Sequence, residues 1–198
     1  MGQFLKMVPD SYTKASAEKK RVALNVWSRV SLYDQLSIAE HFLQIQKSPL
    51  VVCHNDLLLA NFLHDEKRKT VKIIDYEYLA QNPAAFDLAN HFCEYAGTDE
   101  MDFSNLPSED YKRWWLTKYL AEYYQKAMIS EEEIDVWYKS IVAMEPLSHL
   151  FWGVWALMQA EIADIDFDYV SYGHQRLAEY FRLKDNILKQ HPLHTVHS

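Results

Sequence analysis

Two short strand candidates, Asn61-Phe62-Leu63-His64 and Val71-Lys72-Ile73-Ile74, flank a polar stretch at residues 65–70, and this pattern constrains the chain more than any other. Large apolar and β-branched residues on both sides of a polar turn read as a hairpin. It would carry Asn61 at one end and Asp75 just past the other, so both side chains could face one point. Leu50-Val51-Val52-Cys53 is a further strand candidate, and Pro49 ends the segment before it. Upstream, residues 14–46 read as helices. Val22, Val26 and Val30, then Leu36, Ala39 and His41-Phe42-Leu43, recur at helical spacing, with Ser31 and Asp34 as a break or cap. From Phe86 onward everything reads as helix, over 86–96, 108–128, 131–146, 147–162 and 168–188, punctuated by Pro107, Ser130 and Pro146. The tail at 191–198 is expected to fray. The fold class read from this order is α+β, mainly α.

A chain of 198 residues that is 49% hydrophobic can bury one good core, so a single domain is expected. Thirteen Tyr, nine Phe and six Trp predict an aromatic-rich interior or pocket. The net charge of -8, with no compensating Lys/Arg run, argues against a nucleic-acid partner. Cys53 and Cys93 are too few for a disulfide framework, which favours a reducing compartment. The first residues lack a basic stretch joined to an apolar one. The most apolar segment, 147–160, is too short to span a bilayer and carries Ser148, His149 and Gln159. The expectation is a soluble, cytoplasmic protein without a membrane span.

Cys53-His54-Asn55-Asp56-Leu57-Leu58-Leu59-Ala60-Asn61 places an Asn five residues after an Asp, and Asp75 then closes an apolar run. Phosphoryl transfer needs this layout. One acid meets the attacking hydroxyl, while an amide oxygen and a second carboxylate hold the magnesium that bridges the nucleotide phosphates. Asp56 would accept or orient the hydroxyl proton, where positioning counts for more than base strength. Asn61 and Asp75 supply hard oxygen donors suited to Mg2+. The bland alternative makes all three cap or turn residues. His54 reads as a hydrogen-bonded scaffold rather than a base, with Asn55 shaping the same loop. Cys53, His54, His91 and Cys93 have zinc-site composition but lack the short spacings that bring such ligands together. The only glycines are at positions 2, 97, 153 and 173, which leaves no glycine-rich phosphate loop. No strand lysine and no run of five strands precedes the loop. The nucleotide-gripping lobe is therefore expected to be absent.

Together with Phe86-Asp87-Leu88-Ala89-Asn90-His91-Phe92-Cys93-Glu94 and Phe151-Trp152-Gly153-Val154-Trp155, these motifs resemble the choline/ethanolamine kinase family, from about residue 50 to about residue 185. Leu57-Leu58, Asp75-Tyr76-Glu77-Tyr78 and Ala163-Asp164-Ile165-Asp166-Phe167-Asp168 look more like ethanolamine kinases than choline kinases. The resemblance implies a protein-kinase-like fold, of which the chain would be the mainly helical C-terminal lobe. Residues 1–49 would be leading helices, 50–78 the catalytic loop and hairpin, 79–188 the helical substrate-binding part and 189–198 a tail. It also implies ATP-dependent phosphorylation of ethanolamine to phosphoethanolamine, with Mg2+, as the first step of the ethanolamine branch of phosphatidylethanolamine synthesis. Ala60 and Ala89 stand where the family has Gly, each adding a methyl close to the backbone.

By the same resemblance, Asp87 anchors the catalytic loop or caps a helix, and Glu94 lines the amine pocket. Tyr78, Phe167 and Tyr172 map onto that pocket too. Trp152 and Trp155 are three apart and can share a helix face, where aromatic rings attract ammonium groups; ordinary core packing is the alternative. Glu77 is left between a second magnesium and an arginine. Trimethylammonium wants aromatic walls, whereas a primary ammonium also wants acceptors. Both kinds are present, so choline remains an alternative substrate. A non-catalytic lobe, acting as a binding or regulatory partner or pairing as a homodimer, is the competing reading, and an incomplete reading frame is a third.

Overall fold

A computed structural model of the chain describes residues 1–14, 16, 19 and 32–192. Its compact units interleave along the sequence: one comprises Met1–Gln44, Thr98–Met101 and Pro146–Ser198, the other Ile45–Gly97 and Asp102–Glu145. Helix α1 (Gly2–Met7) and helix α2 (Gln35–Ile45) come first. Leu36, Ala39 and Phe42 lie in α2, as their spacing predicts, whereas Val22, Val26, Val30 and Ser31 fall outside the described residues, as do 193–198 of the tail.

Strands β1 (Leu50–Cys53), β2 (Phe62–Asp65), β3 (Thr70–Ile73) and β4 (Ala80–Pro83) form two antiparallel pairs. The expected hairpin is β2–β3, in register Phe62 to Ile73 and Asp65 to Thr70. Its turn is set by Asp65, whose Oδ1 accepts from the backbone of Lys67 and Arg68, each at 3.0 Å. Strand β4 was not legible. Ala-Gln-Asn-Pro has no β-branched or aromatic residue, and it becomes a strand only by pairing with β1, from Leu50–Pro83 to Cys53–Ala80.

Helix α3 (Ala84–Cys93) follows at once and is buried at eight of its ten residues, because three alanines let other chain segments approach closely. Ala89 is fully buried, so its methyl fills core, whereas Ala60 is exposed. Helix α4 (Glu109–Tyr124) starts on a Ser108 cap. It stops four residues short of expectation, at Gln125, whose φ of 52° opens a left-handed cap. Lys126 N–H then reaches Ala121 O at 3.0 Å and Gln125 N–H reaches Glu122 O at 3.2 Å. A non-glycine residue in that role carries no sequence signature.

Two expected helices, 131–146 and 147–162, are one: α5 (Glu131–Ile162) runs through Pro146 for 32 residues. Proline removes one backbone donor and usually breaks such a helix, but here apolar burial on both sides outweighs that loss. Ile141, Met144, Leu147, Leu150 and Leu157 are each at most 3% exposed. The apolar segment read as too short for a bilayer thus belongs to a helix of sufficient length and composition; its most apolar window is 78% buried inside the fold. Helix α6 (Tyr169–Gln190) packs on the second half of α5 through two glycines. A Cβ on Gly153 would lie 2.6 Å from Leu177 Cγ, and one on Gly173 would lie 3.2 Å from Gly153 O.

Candidate active site

The loop between β1 and β2 is held by side chains rather than by regular structure. Asp87, in the first turn of α3, accepts the backbone N–H of His54 at 2.7 Å on one oxygen and that of Asn55 at 2.6 Å on the other. Asn55 is left-handed (φ 67°), a conformation that asparagine tolerates better than most residues. Its amide donates to Cys53 O at 3.2 Å and Tyr78 O at 2.8 Å, and its Oδ1 accepts from Asn82 at 2.9 Å. His54 uses both ring nitrogens: Nε2 donates to Ile74 O at 2.8 Å and Nδ1 accepts from Asp56 N–H at 3.3 Å. Cys53 points its thiol at the carbonyls of Asn82 and Pro83, and burial pushes that thiol up to about 12, so it stays protonated.

Asp56 and Asn61 are brought into contact. The Asn61 amide donates to Asp56 O at 2.8 Å and to Asp56 Oδ2 at 3.0 Å, both residues being buried. Asn61 O in turn accepts from Ile74 N–H at 3.0 Å, which seats Asp75 one residue beyond that bond. Asp75 is also left-handed, at φ 65°, and exposed. Burial pushes the Asp56 carboxyl up to about 6, with the Glu94 charge adding to it. The Asn61 hydrogen bond and His54 oppose that rise, and Asp75 adds a smaller push. Three carboxylates therefore share one field. Tyr78 and Glu94 are half-buried in this same unit, and Glu77 is exposed.

The other unit gathers Trp152, Trp155, Phe167 and Tyr172. The indoles meet edge to face at 5.3 Å between ring centroids. Tyr169, which spacing did not single out, joins the sets, lying 5.6 Å from Trp155 and 4.9 Å from Phe167. Phe167 also meets Tyr172 at 5.7 Å. Trp152 is 4% exposed and Tyr172 6%, whereas Trp155 and Phe167 are half-buried and offer ring surface. The Tyr172 hydroxyl accepts from the buried Arg176 at 3.0 Å. A cavity of about 510 Å³ opens beside Phe167 and Tyr169, with the Lys14–Asp164 ion pair on its wall.

The sequence profile of choline/ethanolamine kinases matches residues 1–181. The chain belongs to the choline/ethanolamine kinase family. It is 40% identical to an ethanolamine kinase of Drosophila melanogaster over 93% of this chain and 36% of that one. It is 32% identical to human ethanolamine kinase 1 over 94% of this chain and 42% of that one. An ethanolamine kinase structure from Plasmodium vivax superimposes with a TM-score of 0.77 at 29% identity, covering 92% of this chain and 49% of that one. The chain thus spans between a third and a half of the length of these relatives. Its fold is the protein-kinase-like fold of the family, mainly helical with small sheets.

Family membership implies a nucleotide and a divalent cation, and the donor set suits such an ion. With its amide nitrogen turned to Asp56, Asn61 presents its Oδ1 as a hard oxygen donor, and Asp75 supplies a carboxylate one residue beyond the Ile74–Asn61 backbone bond. Among the described residues, no three His, Cys, Asp or Glu side chains are grouped to hold a metal. Magnesium takes one or two carboxylates and completes its shell with phosphate and water, so a sparse protein set fits it. Asn82 is the loop-shaping residue that spacing missed. Its role depends on the β1–β4 pairing, which has no local signal.

Proposed function

We propose that this chain carries the catalytic and amine-binding part of an ATP-dependent ethanolamine kinase, making phosphoethanolamine for phosphatidylethanolamine synthesis. The observation that carries the reading is the buried Asp56 held by Asn61, whose backbone carbonyl also takes the Ile74 N–H just ahead of Asp75. Family membership and the ethanolamine kinases among its relatives support the substrate class.

In this reading Asp56 accepts a hydrogen bond from the substrate hydroxyl. The hydroxyl oxygen attacks the γ-phosphorus, the bond to the ADP leaving oxygen breaks, and the hydroxyl proton passes to the Asp56 carboxylate. Asn61 Oδ1 and Asp75 would hold Mg2+, which supplies charge neutralisation of the phosphates when bound. Burial and neighbouring carboxylates favour a proton on Asp56, so its affinity for protons suits acceptance late in the transfer. By the family resemblance the Glu94 carboxylate is assigned to the substrate ammonium. In the other unit, the half-buried rings of Trp155 and Phe167, the latter packed on Tyr172, are of a kind that attracts a cation. Trp152 supports Trp155 from the core. His54, Asn55 and Asp87 hold the loop.

A coupled ADP-release assay with ATP, magnesium and either ethanolamine or choline tests this. Turnover with ethanolamine in preference to choline supports the reading, and preference for choline moves the substrate within the family. Absence of turnover with amine binding retained, or pairing of chains without catalysis, would favour a binding or regulatory lobe.

A further inference from the structure

His91 lies one helical turn after Asp87 on α3, so the two side chains share a helix face. Asp87 holds the loop ahead of Asp56, through the backbone of residues 54 and 55. His91 holds it behind. Its Nδ1 donates to Leu57 O at 2.9 Å, the carbonyl directly after Asp56. Its ring meets Phe62, the residue directly after Asn61, edge to face at 5.5 Å. Tyr95 at 5.5 Å and Trp115 at 6.0 Å pack against the same ring and limit its rotation.

We propose that His91 is a positioning residue for Asp56 and Asn61, the rear half of a clamp whose front half is Asp87. Each contact falls one residue away from a side chain assigned to the chemistry, so His91 acts through backbone and touches no substrate. The peptide units around Asp56 are then fixed on all sides: N–H by His54, C=O by Asn61, and the next C=O by His91. A loop with no ladder hydrogen bonds of its own needs such partners to stay in one conformation. Small misplacements of a reacting group lower rate steeply, by about 100-fold for roughly 1 Å.

The effect on turnover rests on the phosphoryl-transfer reading; the clamp itself does not. Two complementary variants of the whole chain separate ring from donor. His91→Phe keeps a ring in the aromatic box without the Nδ1 donor, and His91→Asn keeps a donor at that position without the ring. Amide hydrogen exchange across residues 54–62 is read first. Phe is expected to speed exchange there by about 10-fold or more, with Asn close to wild type and α4 unchanged in both. In the ADP-release assay, Phe should lower kcat by about 10- to 100-fold with the KM for amine within about threefold, and Asn should recover most of it. Wild-type exchange in the loop of His91→Phe overturns the clamp, as does equal loosening by both variants. If the wild-type chain turns over no amine, the functional reading fails while the exchange result still decides the clamp. A raised KM at unchanged kcat would make His91 a binding residue and overturn the positioning role.

Discussion

Asn61 turns its side-chain amide onto Asp56 twice, once on the backbone carbonyl and once on the carboxylate, five residues back along the chain. The contact joins the residue assigned to the hydroxyl with one assigned to the cation. Asn61→Ala removes both bonds and leaves a buried carboxylate and carbonyl short of a donor. The expected cost is about 1–3 kcal/mol in urea unfolding, with turnover falling by orders of magnitude. Stability unchanged from wild type would refute the burial argument.

Asp87 accepts two backbone N–H groups with the two oxygens of one carboxylate. In Asp87→Asn one of those oxygens becomes an NH2 group facing a donor. Loss of one charge-assisted bond predicts about 1.5–3 kcal/mol of destabilisation. The thermal midpoint of the variant, compared with that of Asp87→Ala, measures it. Both should fall, and Asn should fall less.

Gly153 has no room for a side chain, since a Cβ would sit 2.6 Å from Leu177 Cγ, and Leu177 is fully buried. Alanine gains about 1 kcal/mol of helix propensity, but overpacking costs about 1–3 kcal/mol. Gly153→Ala is therefore expected to lower the thermal midpoint. A rise would mean that Leu177 can move aside. Combined with Leu177→Ala, itself costly at a fully buried position, the two losses should be less than additive, because the smaller side chain removes the clash.

Ser130 and Glu133 form a capping box at the start of α5: Glu133 N–H donates to Ser130 Oγ at 3.2 Å and Ser130 N–H to Glu133 Oε2 at 3.0 Å. Lys126, at 2.8 Å, and those cap bonds hold the Glu133 carboxyl down at about 2. A depressed carboxylate stabilises the fold above its unfolded value of 4.5, and that contribution is lost as pH falls toward about 2. Wild type should therefore lose its stability advantage over Glu133→Gln across that window. Parallel stability curves from pH 5 to about 2 would refute the linkage.

Local chemistry made much of this protein readable. The β2–β3 hairpin and β1 are bounded by polar turns and Pro49, and α6 begins on an Asp168 cap. Asp56, Asn61 and Asp75 stand at a spacing that suggested them as candidate site residues. Gln125 and Pro146 misled because each is judged by local propensity. The Gln125 cap is stabilised by two backbone bonds that any residue can make, and Pro146 is overruled by the buried residues around it.

The sequence alone determined the helical frame, the hairpin and the residue types of the candidate site, because periodicity, turn chemistry and spacing act over a few neighbouring residues. Only the tertiary structure decided that Ala80–Pro83 is a strand, that Asn82 braces Asn55, and that Asp87 and His91 hold the loop from both sides of Asp56. Those bonds join residues some 30 positions apart along the chain. Their partners are backbone groups, which are the same at every position and leave no mark on composition or pattern.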